Sequence, residues 1–435
     1  MPHHLPKCVR RVRSTESAVA PFNGRLSPEP LYHARPMTER ECAEVIAFAR
    51  DAGANVSLGG AGFGAQPAMS ARHGIWLDLS RMAPHVRVEH NTNRVVVTGP
   101  TTLSELDRCC APHGRAAPLP RFGNLCVIST ALGGGTGLLT RRAGMLSHNI
   151  CAARVILADG TIRDVDEHHE PELLWALAGA GQGNFGVVSE LTLRTRPLPA
   201  LVHGGVVSYP LAHARAIFSL VQELLDDLGA DLSVFTGLRS SGPSGPHVEL
   251  FWCFVGARER GARALQDLER VAPILSSDHG EAPYYKLQRL FRDPAGRRPR
   301  FAWDHGFVRP GHSAQLVERA LALIAAHPDA EVRVNLESVG FASENPTLPV
   351  DSGDCSFLYV AAVVWGDELL DTKGKSLHET LSACSRPCLV RRGHPNYDDP
   401  WLTRRGAGFY FGRHAPALRA LRARFDPAKT FVGML

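Results

Sequence analysis

The sequence lacks the features of a membrane or nucleic-acid-binding protein. It has no apolar run of about 18 residues, so no segment is predicted to span a membrane. Its formal net charge is only +5 over 435 residues, which is too small to indicate a nucleic-acid surface. Its longest basic cluster, residues 292–300, has no interleaved aromatic residue and is predicted to be a solvated loop.

Several catalytic and metal-binding motifs are also missing. There is no GxSxG, HExxH, GxxxxGK[ST] or CxxC motif, which removes the main support for hydrolase, P-loop and zinc-site functions. The ten cysteines are irregularly spaced, and no apolar segment follows the basic N-terminus, so we expect free thiols and a cytoplasmic protein. His168–His169 and the Cys384/Cys388 pair fit a surface loop and ordinary cysteines better than a metal site.

The rest of the composition is that of a globular enzyme. Hydrophobic residues make up 44% and charged residues 21% of a chain long enough for two domains. After a leader over residues 1–16, predicted to be disordered, strands and helices alternate over 17–200. Strands outnumber helices over 201–390, which predicts an antiparallel sheet covered on one face by helices. The fold class is therefore predicted to be α+β, with residues 391–435 as a final segment.

Local signals place individual elements. Thr38 and Thr102 each precede a glutamate by three residues, which predicts capped helices beginning there. Residues 408–411 are predicted to be strand-like, and residues 416–424 an amphipathic helix.

Three glycine-rich turns occur within about 130 residues, at 59–64, 133–137 and 179–186. Glycine allows backbone N–H groups to approach a ligand closely, most often a phosphate. None of the turns has the spacing and the following acidic residue of a Rossmann site. Together they favour a large cofactor over ordinary tight turns.

The order of the motifs resembles one known family. Ile75–Met82 follows the first turn, Leu132–Gly137 comes next, and Ala158–Gly160 and Gly183–Val188 follow; Asn396–Tyr397 and Phe425–Pro427 stand near the C-terminus. This set is similar to the berberine-bridge-enzyme-like branch of the FAD-linked oxidases, within the vanillyl-alcohol-oxidase superfamily. The resemblance covers residues 17–200 and 390–435 and is looser over 201–390.

The resemblance implies a PCMH-type FAD-binding domain built from both chain ends, with residues 201–390 inserted as a substrate domain. It also implies that FAD is bound by three groups of residues. The first turn would wrap the pyrophosphate, the middle segments would line the ADP and flavin regions, and the tail would reach the isoalloxazine edge. These residues are Gly59, Gly60, Ala61, Gly62, Phe63, Leu132, Gly133, Gly134, Gly135, Gly137, Asn149, Gly183, Asn184, Gly186, Val187, Val188, Asn396 and Tyr397.

The sequence departs from the family where many members attach the flavin covalently. Alignment on the glycines puts Gly62 at the position of the attachment histidine and Phe122 at that of the cysteine. Cys126 comes four residues too late and is predicted to be a buried apolar residue. These differences predict non-covalent FAD.

Three side chains are candidates for removing a substrate proton: Tyr397, Glu337 and Tyr359. Glu337 fits a solvent-facing strand position as well as a cavity, and His394 fits either a flavin contact or a surface turn.

The function that follows is an FAD-dependent oxidoreductase, an oxidase or dehydrogenase, that takes hydride from a small natural-product-like molecule. Molecular oxygen is one acceptor it could use. The alternatives are a redox-neutral cyclase with structural FAD, and a non-catalytic binding protein on a flavin scaffold. The sequence predicts no nucleic-acid, membrane or metal partner and leaves the oligomeric state open.

Overall fold

A computed structural model describes residues 5–12, 21–59, 73–89, 91–243, 245–288, 290, 299–340, 348–399, 401 and 406–435. In these ranges the strands form four sheets, one with parallel pairs and three that are antiparallel throughout. Helices pack against the three larger sheets. The predicted α+β fold class is confirmed.

The first sheet has the order β1-β2-β4-β3, and three of its strands are parallel. Its strands are β1 (Val9–Arg11), β2 (Tyr32–Ala34), β3 (Val56–Gly59) and β4 (Ile75–Asp78). Helix α1 (Glu39–Asp51) lies on it, because Val45, Ile46 and Ala49 form one apolar face that is fully buried. The predicted cap is present, since the Thr38 side chain accepts a hydrogen bond from the Glu41 N–H.

The second sheet is antiparallel, with the order β5-β6-β10-β8-β9. It consists of β5 (His85–Glu89), β6 (Arg94–Thr98), β8 (Ile150–Leu157), β9 (Ile162–Asp166) and β10 (Gly186–Arg194), while β7 (Arg115–Ala116) pairs separately with β11 (Arg196–Pro197). The helices that pack with it are α2 (Leu103–Cys110), α3 (Val127–Leu132) and α5 (Pro171–Ala180). Helix α4 (Thr140–Ala143) contacts the largest sheet instead. Helix α2 begins with the predicted capping box of Thr102 and Glu105.

The largest sheet has seven antiparallel strands in the order β15-β12-β14-β13-β17-β18-β16. They are β12 (Val202–Pro210), β13 (Leu232–Arg239), β14 (His247–Phe254), β15 (Ser276–Ala282), β16 (Arg300–Phe307), β17 (Glu331–Ser338) and β18 (Phe357–Trp365). One face packs against α6 (Ala214–Leu228), α7 (Arg258–Arg270), α9 (Ser313–Ala326) and α10 (Asp371–Ser385). The predicted helix-covered sheet is therefore correct. Helix α8 (Tyr284–Leu287) belongs to a smaller apolar cluster.

The tail returns to the first sheet, where Phe431 forms a bridge with Val56. Its helices are α11 (Ala407–Phe411) and α12 (Ala415–Phe425), the second of which was predicted. The strand predicted over residues 408–411 is wrong, because Ala407, Tyr410 and Phe411 are buried at the i, i+3, i+4 spacing of a helix face. The limits proposed for the domains, at about residues 200 and 390, stay a prediction.

No helix among the described residues has both the length and the apolar character needed to cross a bilayer.

Candidate active site

A cavity of about 660 Å³ runs between the glycine-rich turns and the open face of the seven-stranded sheet. At one end it is lined by Gly59, Gly99, Gly135 and Gly183. At the other end the wall consists of side chains from β13, β14, β16, β17 and β18. The cavity thus joins the segments that the sequence assigned to a cofactor and to a substrate.

The backbone of the turns faces this cavity directly. Gly135 and Gly183 have φ values of +84° and +64°, in the left-handed region that side-chain-bearing residues rarely adopt. Both line the cavity, so the chain presents backbone rather than side chains there. A backbone-lined surface of this kind lets a large ligand such as a dinucleotide approach the chain closely.

The predicted cofactor residues fall into three groups. Those that line the cavity are Gly59, Leu132, Gly135, Gly183, Val188, Asn396 and Tyr397. Those that lie outside the lining are Gly133, Gly134, Gly137, Asn149, Asn184, Gly186 and Val187. Gly60, Ala61, Gly62 and Phe63 lie outside the described residues.

Two of the glycines outside the lining make room for the returning tail. A Cβ atom on Gly133 would lie 2.1 Å from Oδ1 of Asn396, and one on Gly134 would lie 2.5 Å from Nε2 of His394. Asn396 is held from two sides, since its Nδ2 donates to the Thr130 carbonyl (3.0 Å) and its Oδ1 accepts from Nε2 of Gln182 (2.6 Å). The second glycine cluster therefore docks the C-terminal segment as well as bordering the cavity.

His394 is fully buried and lines the cavity. The alternative interpretation, that it lies in a surface turn, is therefore wrong. Its Nε2 lies 3.2 Å from the Gly135 nitrogen and its Nδ1 lies 3.3 Å from the Asn396 nitrogen. A neutral imidazole accepts a hydrogen bond at only one of these two ring nitrogens. Burial, with His148 as a second cause, lowers the pKa of His394 to about 3. The imidazole is therefore neutral at physiological pH and couples the tail to the Gly135 turn.

The strongest polar cluster surrounds Glu337 on β17, which is 1% exposed. Arg121 Nη2 lies 2.9 Å from its Oε1 in a buried ion pair, and the Thr136 hydroxyl donates to its Oε2 at 2.6 Å. The Tyr397 hydroxyl donates to Oε1 at 3.4 Å. Arg121, Thr136 and Tyr397 line the cavity, and Glu337 lies behind them. The carboxylate can thus receive a proton through Tyr397 without touching a ligand itself.

Tyr397 is held as a neutral phenol. Burial and the neighbouring Glu337 carboxylate raise the pKa of its hydroxyl, because both disfavour a phenolate. Its ring packs edge-on against Trp303, with the ring centroids 5.7 Å apart. The hydroxyl is therefore suited to relaying a proton, and it does not act as a deprotonated base.

The structure does not bring Tyr359 to this site. Tyr359 lies on β18 and is buried in the apolar cluster between the sheet and its covering helices. Its neighbours along the strand, Leu358 and Val360, belong to the cluster on the other face, because side chains alternate along a strand.

Arg121 and Thr136 were not predicted as site residues. Arg121 stands between a proline and a phenylalanine in no recognised motif, and its partner is 216 residues away. Thr136 lies within the second glycine turn, whose chemistry we assigned only to backbone groups. Neither contact has a local signal in the sequence.

Phe122 and Cys126 both line the cavity. Cys126 is half-buried, and desolvation of its thiol raises its pKa. Its Sγ lies 3.8 Å from the Gly99 carbonyl oxygen. The thiol is thus held in its neutral form, which is the unreactive one.

The other polar candidates lie elsewhere. The side chains of His168 and His169 are 79% and 73% exposed. Across the described part of the chain, no group of three or more histidine, cysteine or acidic residues could hold a metal ion.

Comparisons with known proteins agree with this geometry. Residues 30–166 match the family model described as "FAD binding domain". An FAD-linked oxidoreductase of Dictyostelium discoideum is 22% identical over 409 residues, spanning 92% of this chain and 87% of that protein. The solved structure of 6-hydroxy-D-nicotine oxidase from Arthrobacter nicotinovorans has a TM-score of 0.84 at 21% identity, covering 97% of this chain and 96% of that one.

A variant of BBE-like 1 from Physcomitrella patens superimposes with a TM-score of 0.83 at 19% identity, covering 98% of this chain and 96% of that one. At this level of identity the two solved structures establish the fold. The predicted resemblance is confirmed: the chain carries an FAD binding domain in the fold of the berberine-bridge-enzyme-like FAD-linked oxidases.

Proposed function

We propose that this protein is an FAD-dependent oxidoreductase that takes hydride from a small organic molecule and holds its FAD without a covalent bond. The observation that carries the proposal is the Tyr397–Glu337 pair, which lies where the glycine-lined end of the cavity meets the sheet. When bound, FAD supplies the hydride acceptor. The residues of this chain would supply orientation and proton transfer.

The path of the proton follows from the contacts. A substrate O–H or N–H placed against Tyr397 gives its proton to the phenol oxygen, while the phenol proton passes to Glu337. Tyr397 thus remains neutral throughout, as its raised pKa favours. Arg121 and Thr136 hold the carboxylate in place during the transfer. Relays of this kind contribute about 10²- to 10⁴-fold to a rate.

Non-covalent attachment is supported by the two cavity positions nearest the expected cysteine link. Phe122 cannot form a thioether, and Cys126 is a half-buried thiol whose raised pKa keeps it neutral. The position of the histidine link, Gly62, has no side chain that could bond to a flavin.

The test is anaerobic mixing of the purified holoprotein with candidate alcohols, amines and phenols. The proposal expects at least one compound to bleach the oxidised flavin absorption, and oxygen or another acceptor to restore it. If product forms without bleaching and without acceptor use, the protein is a redox-neutral catalyst and the proposal is wrong. Protein purified without any flavin, and unable to take it up, would also contradict it.

A further inference from the structure

Four aromatic side chains form a continuous row along one wall of the cavity. The row begins at Tyr397 and continues through Trp303 and Phe301 to Phe22, and all four side chains line the cavity. The centroids of neighbouring rings lie 5.7, 5.0 and 5.9 Å apart in that order. The row therefore leads from the proton path at Tyr397 to a residue near the N-terminus of the chain.

The register of the large sheet gives the length of this wall. Glu337 pairs with Leu358 on β18, and Phe301 pairs with Val364 on the same strand. The two pairings lie six residues apart, from Leu358 to Val364, and six residues of a strand span about 20 Å. The wall between the proton path and Phe301 is thus several ring widths long, which suits a ligand of more than one ring.

Phe22 reaches the row because the N-terminal strap, residues 22–25, binds along β16, the last strand of the large sheet. The Asn23 side chain imitates a neighbouring strand, since its Nδ2 donates to the Phe301 carbonyl (2.9 Å) and its Oδ1 accepts from the Phe301 N–H (3.3 Å). These bonds satisfy backbone groups that an edge strand otherwise leaves unpaired. The strap therefore completes the sheet at the end where Phe22 lines the cavity.

Arg25 fixes the strap from its other end. Its Nη2 lies 2.7 Å from both carboxylate oxygens of Asp399, and the two side chains are 5% and 0% exposed. Its guanidinium also lies over the Trp401 ring, 3.9 Å from the centroid. The strap is held in place before any ligand arrives, so Phe22 is a preorganised part of the cavity wall, which lowers the entropic cost of binding.

The charged side chains of the lining offer no unpaired charge to a ligand. In the described part of the lining each guanidinium is paired with a carboxylate: Arg121 with Glu337, Arg239 with Glu249, and Arg333 with Glu331. A charged ligand would lose hydration in this cavity without gaining a partner of its own, which is unfavourable. The cavity therefore favours a neutral ligand.

We propose that the substrate is a neutral molecule of at least two linked aromatic rings, which lies along this row with its oxidised group beside Tyr397 and its far ring against Phe22. Rings of the ligand would meet the rings of the wall in the offset or edge-on contacts that aromatic pairs prefer. Phe22 is thereby a residue that determines specificity. This inference rests on the proposed function and names its substrate class.

The experiment measures equilibrium binding to the holoprotein by calorimetry. The two probes are 4-benzyloxybenzyl alcohol and 4-methoxybenzyl alcohol, which differ only in the far phenyl ring. We expect the two-ring probe to bind more tightly. Phe22→Ala should weaken the two-ring probe about 5- to 30-fold, because its far ring loses an aromatic partner, and change the one-ring probe by less than about 2-fold.

Leu31→Ala is the matched control, because Leu31 belongs to the same part of the chain, is 40% exposed and lies outside the lining. It should change the binding of neither probe. If Phe22→Ala does not fold, Phe22→Leu decides the question, since it keeps an apolar side chain against Phe301 and removes only the ring. We expect Phe22→Leu to weaken the two-ring probe about 2- to 10-fold.

Charged analogues with the same two rings test the neutral class. We expect 4-benzyloxybenzoate and 4-benzyloxybenzylammonium to bind more weakly than the alcohol, and tighter binding of either ion would overturn the inference. An unchanged affinity for the two-ring probe in the Phe22 variants would overturn it as well. So would an equal loss for both probes, because the effect would then not depend on the far ring.

The inference and the proposed function fail separately, because binding is measured without turnover. Binding of the two-ring probe that depends on Phe22, with no flavin bleaching by any compound, would sink only the proposed function. Bleaching by small alcohols at rates that do not depend on Phe22 or on the second ring would sink only the inference.

Discussion

The hydroxyl of Tyr397 lies 3.4 Å from Oε1 of Glu337, although the two residues are 60 positions apart and belong to the tail and to the large sheet. Glu337 is backed by an ion pair with Arg121 from the segment before α3. Three parts of the chain therefore converge on one proton path at the centre of the cavity.

Removing the Tyr397 hydroxyl tests that path. Tyr397→Phe should lower kcat about 10²- to 10⁴-fold, because the substrate proton loses its route to Glu337. The ring is retained, so we expect FAD content and the packing against Trp303 to stay unchanged. Rapid-mixing measurement of flavin reduction checks this, and an unchanged rate would show that Tyr397 carries no proton.

Variants of the Arg121–Glu337 pair distinguish its effect on stability from its effect on catalysis. Glu337→Gln should lower the free energy of unfolding by about 3–5 kcal/mol, because it leaves the Arg121 charge buried without its partner. The double variant Arg121→Met/Glu337→Gln should recover much of that loss but none of the activity. Denaturant unfolding and flavin-reduction kinetics on the same samples measure both. Recovered activity in the double variant would contradict a role for the Glu337 carboxylate.

Covalent attachment of the flavin can be tested directly. We expect acid precipitation of the holoprotein to release all of the yellow colour into the supernatant, because Phe122 and the neutral Cys126 offer no link. Cys126→Ala should behave in the same way as the unmodified protein. Colour that stays in the pellet of the unmodified protein and is lost in Cys126→Ala would show a thioether bond.

Gly133→Ala tests the docking of the tail. The new Cβ atom would meet Oδ1 of Asn396 and the amide of Gln182, at 2.1 and 2.5 Å. Overpacking of this kind costs about 1–3 kcal/mol of unfolding free energy, and we expect weaker FAD retention as Asn396 moves. Gly408→Ala is the matched control, because nothing lies within 4 Å of that position. If the two substitutions changed the midpoint of thermal unfolding equally, the result would argue against the contact between Gly133 and Asn396.

The lowered pKa of His394 predicts how the stability of the protein depends on pH. Its pKa is lowered from 6.5 to about 3 in the folded protein, so between these values the unfolded chain binds a proton that the folded chain does not. The free energy of unfolding should therefore fall as the pH decreases below about 6.5, by up to about 1.4 kcal/mol per pH unit. His394→Asn keeps an acceptor for the Asn396 N–H and removes the part of the slope that is due to His394.

The effect is measured by denaturant unfolding between about pH 4 and pH 7, the range in which the lowered pKa of His394 changes the stability. His168→Asn, on an exposed loop, should keep the slope of the unmodified protein. An identical slope in His394→Asn would place the acid sensitivity elsewhere.

Local patterns were enough to predict much of the fold. The caps at Thr38 and Thr102 and the helix-covered sheet follow from short-range hydrogen bonds and from the alternation of apolar residues. The predicted strand over 408–411 failed because four residues cannot distinguish a short helix from a strand. Tyr359 was misplaced for a related reason, since a strand that is apolar on both faces does not reveal which face holds the cavity.

The sequence by itself thus determined the α+β class, the glycine turns and the family resemblance, because turn geometry and burial pattern are properties of neighbouring residues. Only the tertiary structure decided that Arg121 meets Glu337, that His394 is buried against Gly135, and that Arg239 folds over Gly237. Charge pairs and close approaches of this kind depend on which distant segments the sheets bring together. The residues next to one member of such a pair in the sequence do not indicate which distant side chain it will contact.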